Sequence, residues 1–234
     1  MGRLVDLTHV IELDMSVFPG DPIPQAETLV TCEKDGYRLT KLTVGSHCGT
    51  HADAPAHVFP DGRTLDQFPA DFFMGSATII DCREVPVITM DVLQTAAPYF
   101  MKADFLLFMT GWSQYWGTPQ YESGYPVLAD EVTDFIAELG CKGVGFDTLG
   151  PDAPNDITLK NHRRLLASGR RLLIENLNWL GECPGGVFHF AAFPMLPKLC
   201  ESSYVRKILK RAKARYPNSF RTCRGCGLKS FVVS

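Results

Sequence analysis

Eleven consecutive residues constrain this chain more than any other stretch, because they gather three of its six histidines and one aspartate among small residues. The stretch reads H-C-G-T-H-A-D-A-P-A-H, and its four polar side chains all fall on odd positions: His47, His51, Asp53 and His57. Alternate residues share one face of an extended backbone. A helix would also align His47 with His51, but Gly49 and Pro55 both disfavour one here.

A straight strand cannot bring the first two histidines to one ion. At about 3.3 Å per residue, His47 and His51 would lie roughly 13 Å apart, so the chain must bend, and Gly49 permits the bend. His51 and Asp53 would lie about 6–7 Å apart and can converge unaided. We therefore predict strand, bend and strand around a divalent cation held by two imidazoles and one carboxylate.

His57 follows Pro55 and would face a water at the open side of such a site, as an acid/base group rather than a ligand. The plain alternative is that each histidine is an ordinary hydrogen-bonded residue. A buried cluster of unpaired polar groups would be costly, which favours a metal. Cys48 is a weak nucleophile candidate because neighbours on a strand point apart, and the chain has no Gly-x-Ser-x-Gly elbow for a serine triad.

Length and charge exclude several classes of protein. The chain has 234 residues, enough for one domain with a sizeable core. The net charge of -3 gives no reason to expect nucleic acid or a membrane surface as a partner. No apolar run approaches the ~20 residues of a membrane span, and an acid follows the N-terminus too soon for a signal peptide. We expect a cytoplasmic protein whose eight cysteines are reduced.

Apolar runs and helix signals predict a mixed fold of one domain, residues 1–216, with a tail at 217–234. Strands are predicted over residues 5–13, 37–44, 75–81, 105–109, 143–148 and 172–174. A short helix capped by Thr89 or Asp91 is predicted to run to Leu93, and a clearer one covers 130–140 with Asp130 as its cap. A further short helix is predicted to end at about Gly169, and the last covers 204–215. Trp112 belongs to an aromatic group after a strand, which would line a pocket for a flat substrate or serve only for packing.

The motif H-x-G-T-H-x-D-x-P-x-H, from His47 to His57, resembles the signature of the cyclase-type metal hydrolases, the family of bacterial kynurenine formamidase and isatin hydrolase. Weaker matches occur in the same order along the chain: D-L-T-H (6–9), F-P-G-D-P (18–22), T-G-W (110–112) and G-V-G-F-D-T (143–148). The resemblance covers roughly Val5 to Leu209. It implies an α/β fold of the swivelling β/β/α type with a mixed sheet, assembled as a homodimer or homotetramer.

By the same resemblance, the second half of the chain supplies further ligands. One zinc would take His47, His51 and Asp53, and a second would take Asp53, His162 and Glu175, with Asp53 bridging the two. Manganese is the alternative metal. An acid such as Glu175 in an apolar run is costly to bury without a cation, although a salt bridge with an arginine would also serve. The loop of Phe18 approaches the active site in the family, so Phe18 either contacts substrate or caps a turn.

The function implied is a metal-dependent amidohydrolase that cleaves an aryl formamide or opens a small cyclic amide, with a water activated by the metal and His57 as proton shuttle. The alternatives are a single-manganese hydrolase of the isatin type, a lactone hydrolase or dehydratase-like cyclase, and a catalytically silent metal-binding protein. The substrate stays open because Glu201, Ser202 and Tyr204 depart from the pattern of relatives. In the tail, the Cys-x-x-Cys spacing of Cys223 and Cys226 is a weak metal or redox signal.

Overall fold

Eleven strands and five short helices make up the described part of the computed structural model, which comprises residues 4–195, 198 and 200–207. The strands are β1 (Gln25–Val30), β2 (Leu39–Thr43), β3 (His51–Asp53), β4 (Met74–Asp81), β5 (Val87–Ile88), β6 (Phe105–Met109), β7 (Val127–Leu128), β8 (Gly143–Phe146), β9 (Leu172–Glu175), β10 (Val187–Pro194) and β11 (Ser202–Lys207). The helices are α1 (Cys32–Asp35), α2 (Met90–Gln94), α3 (Ala97–Phe100), α4 (Asp130–Glu138) and α5 (Lys160–Leu166).

Seven of the strands close into a barrel in the order β10, β11, β3, β9, β8, β6 and β4. The neighbours β4, β6, β8 and β9 run parallel. The strands β3, β10 and β11 pair antiparallel with their neighbours. This confirms the predicted α/β class with a mixed sheet, and it adds the closure of that sheet. β3 therefore lies where the parallel half of the barrel meets the antiparallel half.

The parallel strands β6, β8 and β9 are buried at every position, as their continuous apolar runs predicted. In β6, Phe105 and Leu107 point into the barrel, whereas Leu106 and Phe108 face the layer of helices. From α4, Val132 packs into that outer layer. The alternation of β6 thus builds two cores, one inside the barrel and one between its wall and the helices.

Most predicted strands and the helices α2, α4 and α5 are confirmed, but two elements are wrong. Residues 5–13 form no regular strand beyond an isolated bridge at Asp6. Val5 and Leu7 are buried in the barrel core, while Val10 is largely exposed. The Leu7 carbonyl instead accepts a hydrogen bond from the Asn178 backbone. The apolar alternation of this segment therefore reflects packing against the barrel and not a ladder.

The predicted helix over 204–215 is wrong where the structure describes it. Tyr204 belongs to β11, which pairs with β3 on one side and β10 on the other. Closing the barrel satisfies backbone groups on both neighbouring strands, and this outweighs a helical spacing of apolar residues. Residues 208–215 and the tail with Cys223 and Cys226 lie outside the described residues.

A smaller correction concerns the start of α4. Its N-cap is Ala129, not Asp130. Asp130 is instead the first helical residue and pairs with Lys160 at 2.8 Å. Within the described ranges, every helix is too short or too polar to cross a bilayer.

Candidate metal centre

β3 directs two of the predicted ligands to the outer side of the barrel. Ala52 lies in the barrel core, opposite Ile174 of β9. Side chains alternate along a strand, so His51 and Asp53 point away from that core. Both are almost fully buried nonetheless, because helix α5 and the preceding loop cover them. The site therefore lies between the barrel wall and its helical layer.

The predicted bend is present and returns His47 to the same place. Gly49 has φ +67°, in the left-handed region that favours glycine. Its carbonyl accepts hydrogen bonds from His51 Nδ1 and Asn176 Nδ2, both at 2.9 Å. His47 Nδ1 consequently lies 3.2 Å from His51 Nε2. The segment before this bend was predicted as a strand, but it is a turn, since β2 already ends at Thr43.

Glu175 enters the site by strand pairing. It ends β9 and lies directly opposite His51 in the antiparallel register. Glu175 Oε2 lies 3.4 Å from His51 Nε2, and Oε1 lies 3.0 Å from His162 Nε2. Both of these contacts are therefore made with imidazoles, and not with the arginine that the alternative interpretation required.

His162 comes from the third residue of α5. Its Nε2 points to Glu175 and lies 3.8 Å from Asp53 Oδ2. The loop before the helix runs very close to the cluster. A Cβ added at Gly150 would lie 2.7 Å from Glu175 Oε1 and 3.2 Å from His162 Cε1. Only a residue without a side chain fits between these two groups.

Asp53 lies at the centre and is fully buried. Its Oδ1 is 3.0 Å from His47 Nδ1 and 3.3 Å from His51 Nε2, whereas Oδ2 faces His162. Among the described residues, neither oxygen has a hydrogen-bond partner of normal geometry, and the same is true of Glu175 Oε1. A buried carboxylate in this condition is costly unless a cation compensates it. The nitrogen and oxygen donors fit a divalent metal.

In the part of the chain that the structure describes, donor atoms within 4.8 Å of one another form two overlapping triads, each containing Asp53. One joins Asp53 to His51 and Glu175, and the other joins it to His47 and His57. The sequence had predicted a different division, in which His57 is no ligand. The shared position of Asp53 agrees with a bridging carboxylate in either division.

His57 lies at the open side of this cluster, in the 3-10 turn Pro55–His57. Its ring centroid is 4.3 Å from that of His47 and 5.4 Å from that of His162. Burial lowers the pKa of His57, and the nearby His47 and His162 lower it further against the opposing carboxylates. A neutral imidazole at neutral pH can accept a proton.

The protein's own charges balance the acids of the site. Burial alone would lower the pKa of His47, but the carboxylates of Asp53, Glu175 and Glu201 together outweigh burial and raise that pKa to about 9. For His162, burial is outweighed by Asp152 and Glu175, which raise its pKa to about 10. Burial likewise would raise the pKa of Asp53, yet the surrounding histidines hold it well below its usual range. Two protonated imidazoles thus stand where a metal would supply positive charge.

The two residues predicted to contact substrate, Phe18 and Trp112, have different surroundings. Phe18 is 38% exposed in its loop. Trp112 packs with Tyr121 and Tyr125, and its indole N–H donates to the Tyr121 carbonyl at 3.2 Å. This placement agrees with the packing interpretation of Trp112. A cavity of about 570 Å³ is lined instead by Trp116 and other residues, none of them a predicted ligand.

Cys48 agrees with the minor role expected of it, and His9 packs against an aromatic ring. Cys48 is buried with its Sγ 3.7 Å from Met15 Sδ, and burial raises the pKa of its thiol, which disfavours a nucleophile. The His9 ring stacks on Trp116 with centroids 4.0 Å apart.

Two carboxylates near the site were not predicted as functional. Asp152 Oδ2 lies 2.6 Å from His162 Nδ1. Glu201 Oε1 lies 3.6 Å from His47 Nε2 and accepts a hydrogen bond from Ser46. Sequence spacing cannot connect these residues with their histidines. The only signal was that Glu201 departs from the pattern of relatives.

Known proteins resemble this chain along most of its length. A family model for cyclases matches residues 5–153. The kynurenine formamidase of Paracidovorax citrulli strain AAC00-1 is 27% identical over 209 residues, which cover 88% of this chain and 96% of that protein. Isatin hydrolase A from Labrenzia aggregata, solved with benzyl benzoate, has a similar fold, with a TM-score of 0.79 at 21% identity over 90% of this chain and 94% of its own. A structure described as a potential metal-dependent hydrolase with cyclase activity has a TM-score of 0.75 at 25% identity, covering 91% of this chain and 100% of its own.

Proposed function

This chain belongs to the cyclase family, and from that premise we propose that it is a metal-dependent amidohydrolase. Its substrate would be an aryl formamide or a small cyclic amide. The kynurenine formamidase that it resembles over nearly its full length supports hydrolysis of a carbon–nitrogen bond other than a peptide bond. The buried cluster of imidazoles and carboxylates supports the metal.

One observation carries the proposal. Asp53 is fully buried, and neither of its oxygens has a normal hydrogen-bond partner among the described residues, although three imidazoles surround it. A structural aspartate in a protein core is ordinarily hydrogen-bonded. An aspartate left open on both oxygens and enclosed by nitrogen donors is what a metal bridge requires.

We assign the ligands as two groups that share Asp53. His47 and His51 lie on the side of Oδ1, and His162 lies on the side of Oδ2. Glu175 spans the two groups, with one oxygen toward His51 and the other toward His162. This arrangement supports two ions per chain, for which zinc is the proposed metal and manganese the alternative.

A divalent ion bound there supplies a Lewis acid that polarises a carbonyl and makes water more acidic. The remaining steps belong to the protein. His57, neutral at neutral pH, accepts the proton released when water attacks the amide carbon. It then donates that proton to the departing nitrogen. General acid–base catalysis of this kind increases the rate by roughly 10²–10⁴-fold.

The test combines elemental analysis with two substrates. Protein purified without chelator should contain about two equivalents of zinc or manganese per chain. It should hydrolyse an aryl formamide such as formanilide, or open an isatin-type cyclic amide. One equivalent together with cyclic-amide opening would favour the single-manganese alternative. Protein that contains no metal and takes up none on addition would overturn the proposal.

Several parts of the prediction stay predictions. Contact of Phe18 and Trp112 with substrate requires activity measurements on variants of each. A homodimer or homotetramer can be checked by measuring the mass of the protein in solution, for example by light scattering. The cytoplasmic location requires fractionation of the source cells.

A further inference from the structure

Each of three clustered imidazoles has one nitrogen facing the central carboxylates, Asp53 and Glu175, and another facing away from them. The outward nitrogen of His51, Nδ1, is held by the Gly49 carbonyl at 2.9 Å. That of His162, Nδ1, is held by Asp152 Oδ2 at 2.6 Å. That of His47, Nε2, lies 3.6 Å from Glu201 Oε1. His162 therefore has the shortest contact of the three, and a carboxylate makes it.

Asp152 holds both the start of α5 and this ring. Its Oδ1 accepts the backbone N–H of Asn161 at 2.7 Å, and its Oδ2 accepts that of His162 at 3.0 Å. The residue is 4% exposed. One carboxylate thus fixes both the backbone and the side chain of a single histidine, from a loop earlier in the chain.

The neighbouring Asn161 anchors the same turn from the other side. Its side-chain amide donates to the Pro151 carbonyl at 2.9 Å and to the Leu128 carbonyl at 3.3 Å. Thr133 of α4 donates to its Oδ1 at 3.0 Å. The loop that carries Asp152 and the helix that carries His162 are consequently tied together.

We propose that Asp152 is a positioning residue of the metal centre, which fixes the His162 ring with its Nδ1 proton directed at Asp152 and its Nε2 presented to Glu175 and Asp53. Buried carboxylates behind metal-ligating histidines set the tautomer and orientation of the ring, and their loss typically lowers metal affinity by about 10–100-fold. This inference rests on the proposed function, since it requires an ion at His162.

The rival explanation is that Asp152 only caps α5. The substitution Asp152→Asn distinguishes the two roles, because asparagine keeps one side-chain oxygen that can accept a backbone N–H of α5 but carries no negative charge. The amide oxygen could take the place of Oδ1 and accept the Asn161 N–H, whereas the amide nitrogen in place of Oδ2 would remove both the acceptor for the two His162 nitrogens and the negative charge. If Asp152 acts only as a cap, the loss of one backbone hydrogen bond should lower the melting temperature of Asp152→Asn and leave the affinity of each zinc equivalent unchanged.

The experiment titrates zinc into the wild-type chain, Asp152→Asn and the control Asp130→Asn, in competition with a chromophoric chelator. Asp130 is a suitable control because it also contacts α5, through Lys160 at 2.8 Å, but its side chain is exposed. In Asp152→Asn we expect one zinc equivalent to lose roughly 10–100-fold in affinity, while the other stays within a few-fold. Asp130→Asn should match the wild type.

A second readout is independent of affinity. A long-range ¹H–¹⁵N spectrum of the zinc-loaded wild type should show one histidine protonated at Nδ1 whose signals change in Asp152→Asn. Equal affinities in Asp152→Asn and wild type would overturn the role of Asp152 and leave the proposed function intact. Loss of both equivalents together, with a lower melting temperature, would also overturn it, because Asp152 would then hold the domain rather than the ring. A wild-type chain that binds neither zinc nor manganese would instead refute the proposed function itself.

Discussion

The two halves of the proposed metal centre are built in different ways. His47, His51 and Asp53 come from one short stretch, and their geometry follows from the turn at Gly49 and the start of β3. His162 and Glu175 come from separate elements and meet them only through strand pairing and the loop before α5. The comparison teaches that ligands in one contiguous motif are positioned by the motif's own backbone. Ligands from separate elements are positioned by other residues, which are not themselves metal ligands.

Asp53→Asn should have the largest effect, since Asp53 is the one residue shared by both halves. The amide has no negative charge to offer either ion, so both equivalents should be lost and hydrolysis should fall to background. Metal analysis and circular dichroism on the same sample check this. A variant that keeps one full equivalent would show that Asp53 belongs to one half alone.

His57→Ala should show whether His57 acts in proton transfer or as a metal ligand. If His57 transfers protons, turnover should fall by roughly 10²–10⁴-fold while metal content stays near the wild-type value. Elemental analysis is the decisive measurement here. Loss of an equivalent would mean that His57 ligates beside His47 and Asp53, as their proximity also permits.

Gly150→Ala should damage the second half only. The new methyl group would lie 2.7 Å from Glu175 Oε1 and must displace that carboxylate or the loop. Overpacking of this kind typically costs about 1–3 kcal/mol. We expect a lower melting temperature and about one metal per chain rather than two.

Gly140→Ala is the matched control for this substitution, because no atom lies within 4 Å of the added Cβ there. It should retain the wild-type metal content. If Gly150→Ala also retains it, the second half is more tolerant than its crowding suggests.

The pH dependence of the metal-free protein should be the smallest of these effects. The folded pKa values of His47, about 9, and His162, about 10, lie above the unfolded value of 6.5. Their stabilisation is therefore complete below about pH 6.5 and is lost as pH rises through about 9 to 10. Urea unfolding of chelator-treated protein between about pH 6 and 10 should show this decline, and bound zinc should abolish it. A metal-free protein that becomes more stable over that pH range would contradict the conclusion that His47 and His162 are protonated in the folded state.

The sequence predicted the motif half well because its spacing is physically restrictive. A bend at Gly49 was required by the distance between His47 and His51, and the structure contains it. His162 and Glu175 were accessible only through resemblance, since nothing local relates them to His47. Asp152 was missed altogether, because its contacts exist only once the loop and α5 are packed.

The two mistaken elements have a related cause. Tyr204 has a helical pattern around it, yet it becomes a strand because β3 needs a neighbour. Val5 and Leu7 alternate like a strand, yet they only fill the end of a barrel. Local periodicity records which side chains are buried, but it does not record which backbone groups find partners.

The position of β3 in the barrel also sets when the site can form. β3 pairs with β9 through His51 and Glu175, and with β11 through Asp53 and Ser202. Both contacts join residues far apart in the chain, so they impose a high contact order and slow folding. During synthesis, the eleven-residue motif leaves the ribosome long before either neighbouring strand exists. The proposed metal centre would therefore form late in folding, after almost the whole described chain has been made, and an ion that met the nascent motif earlier would find the site incomplete.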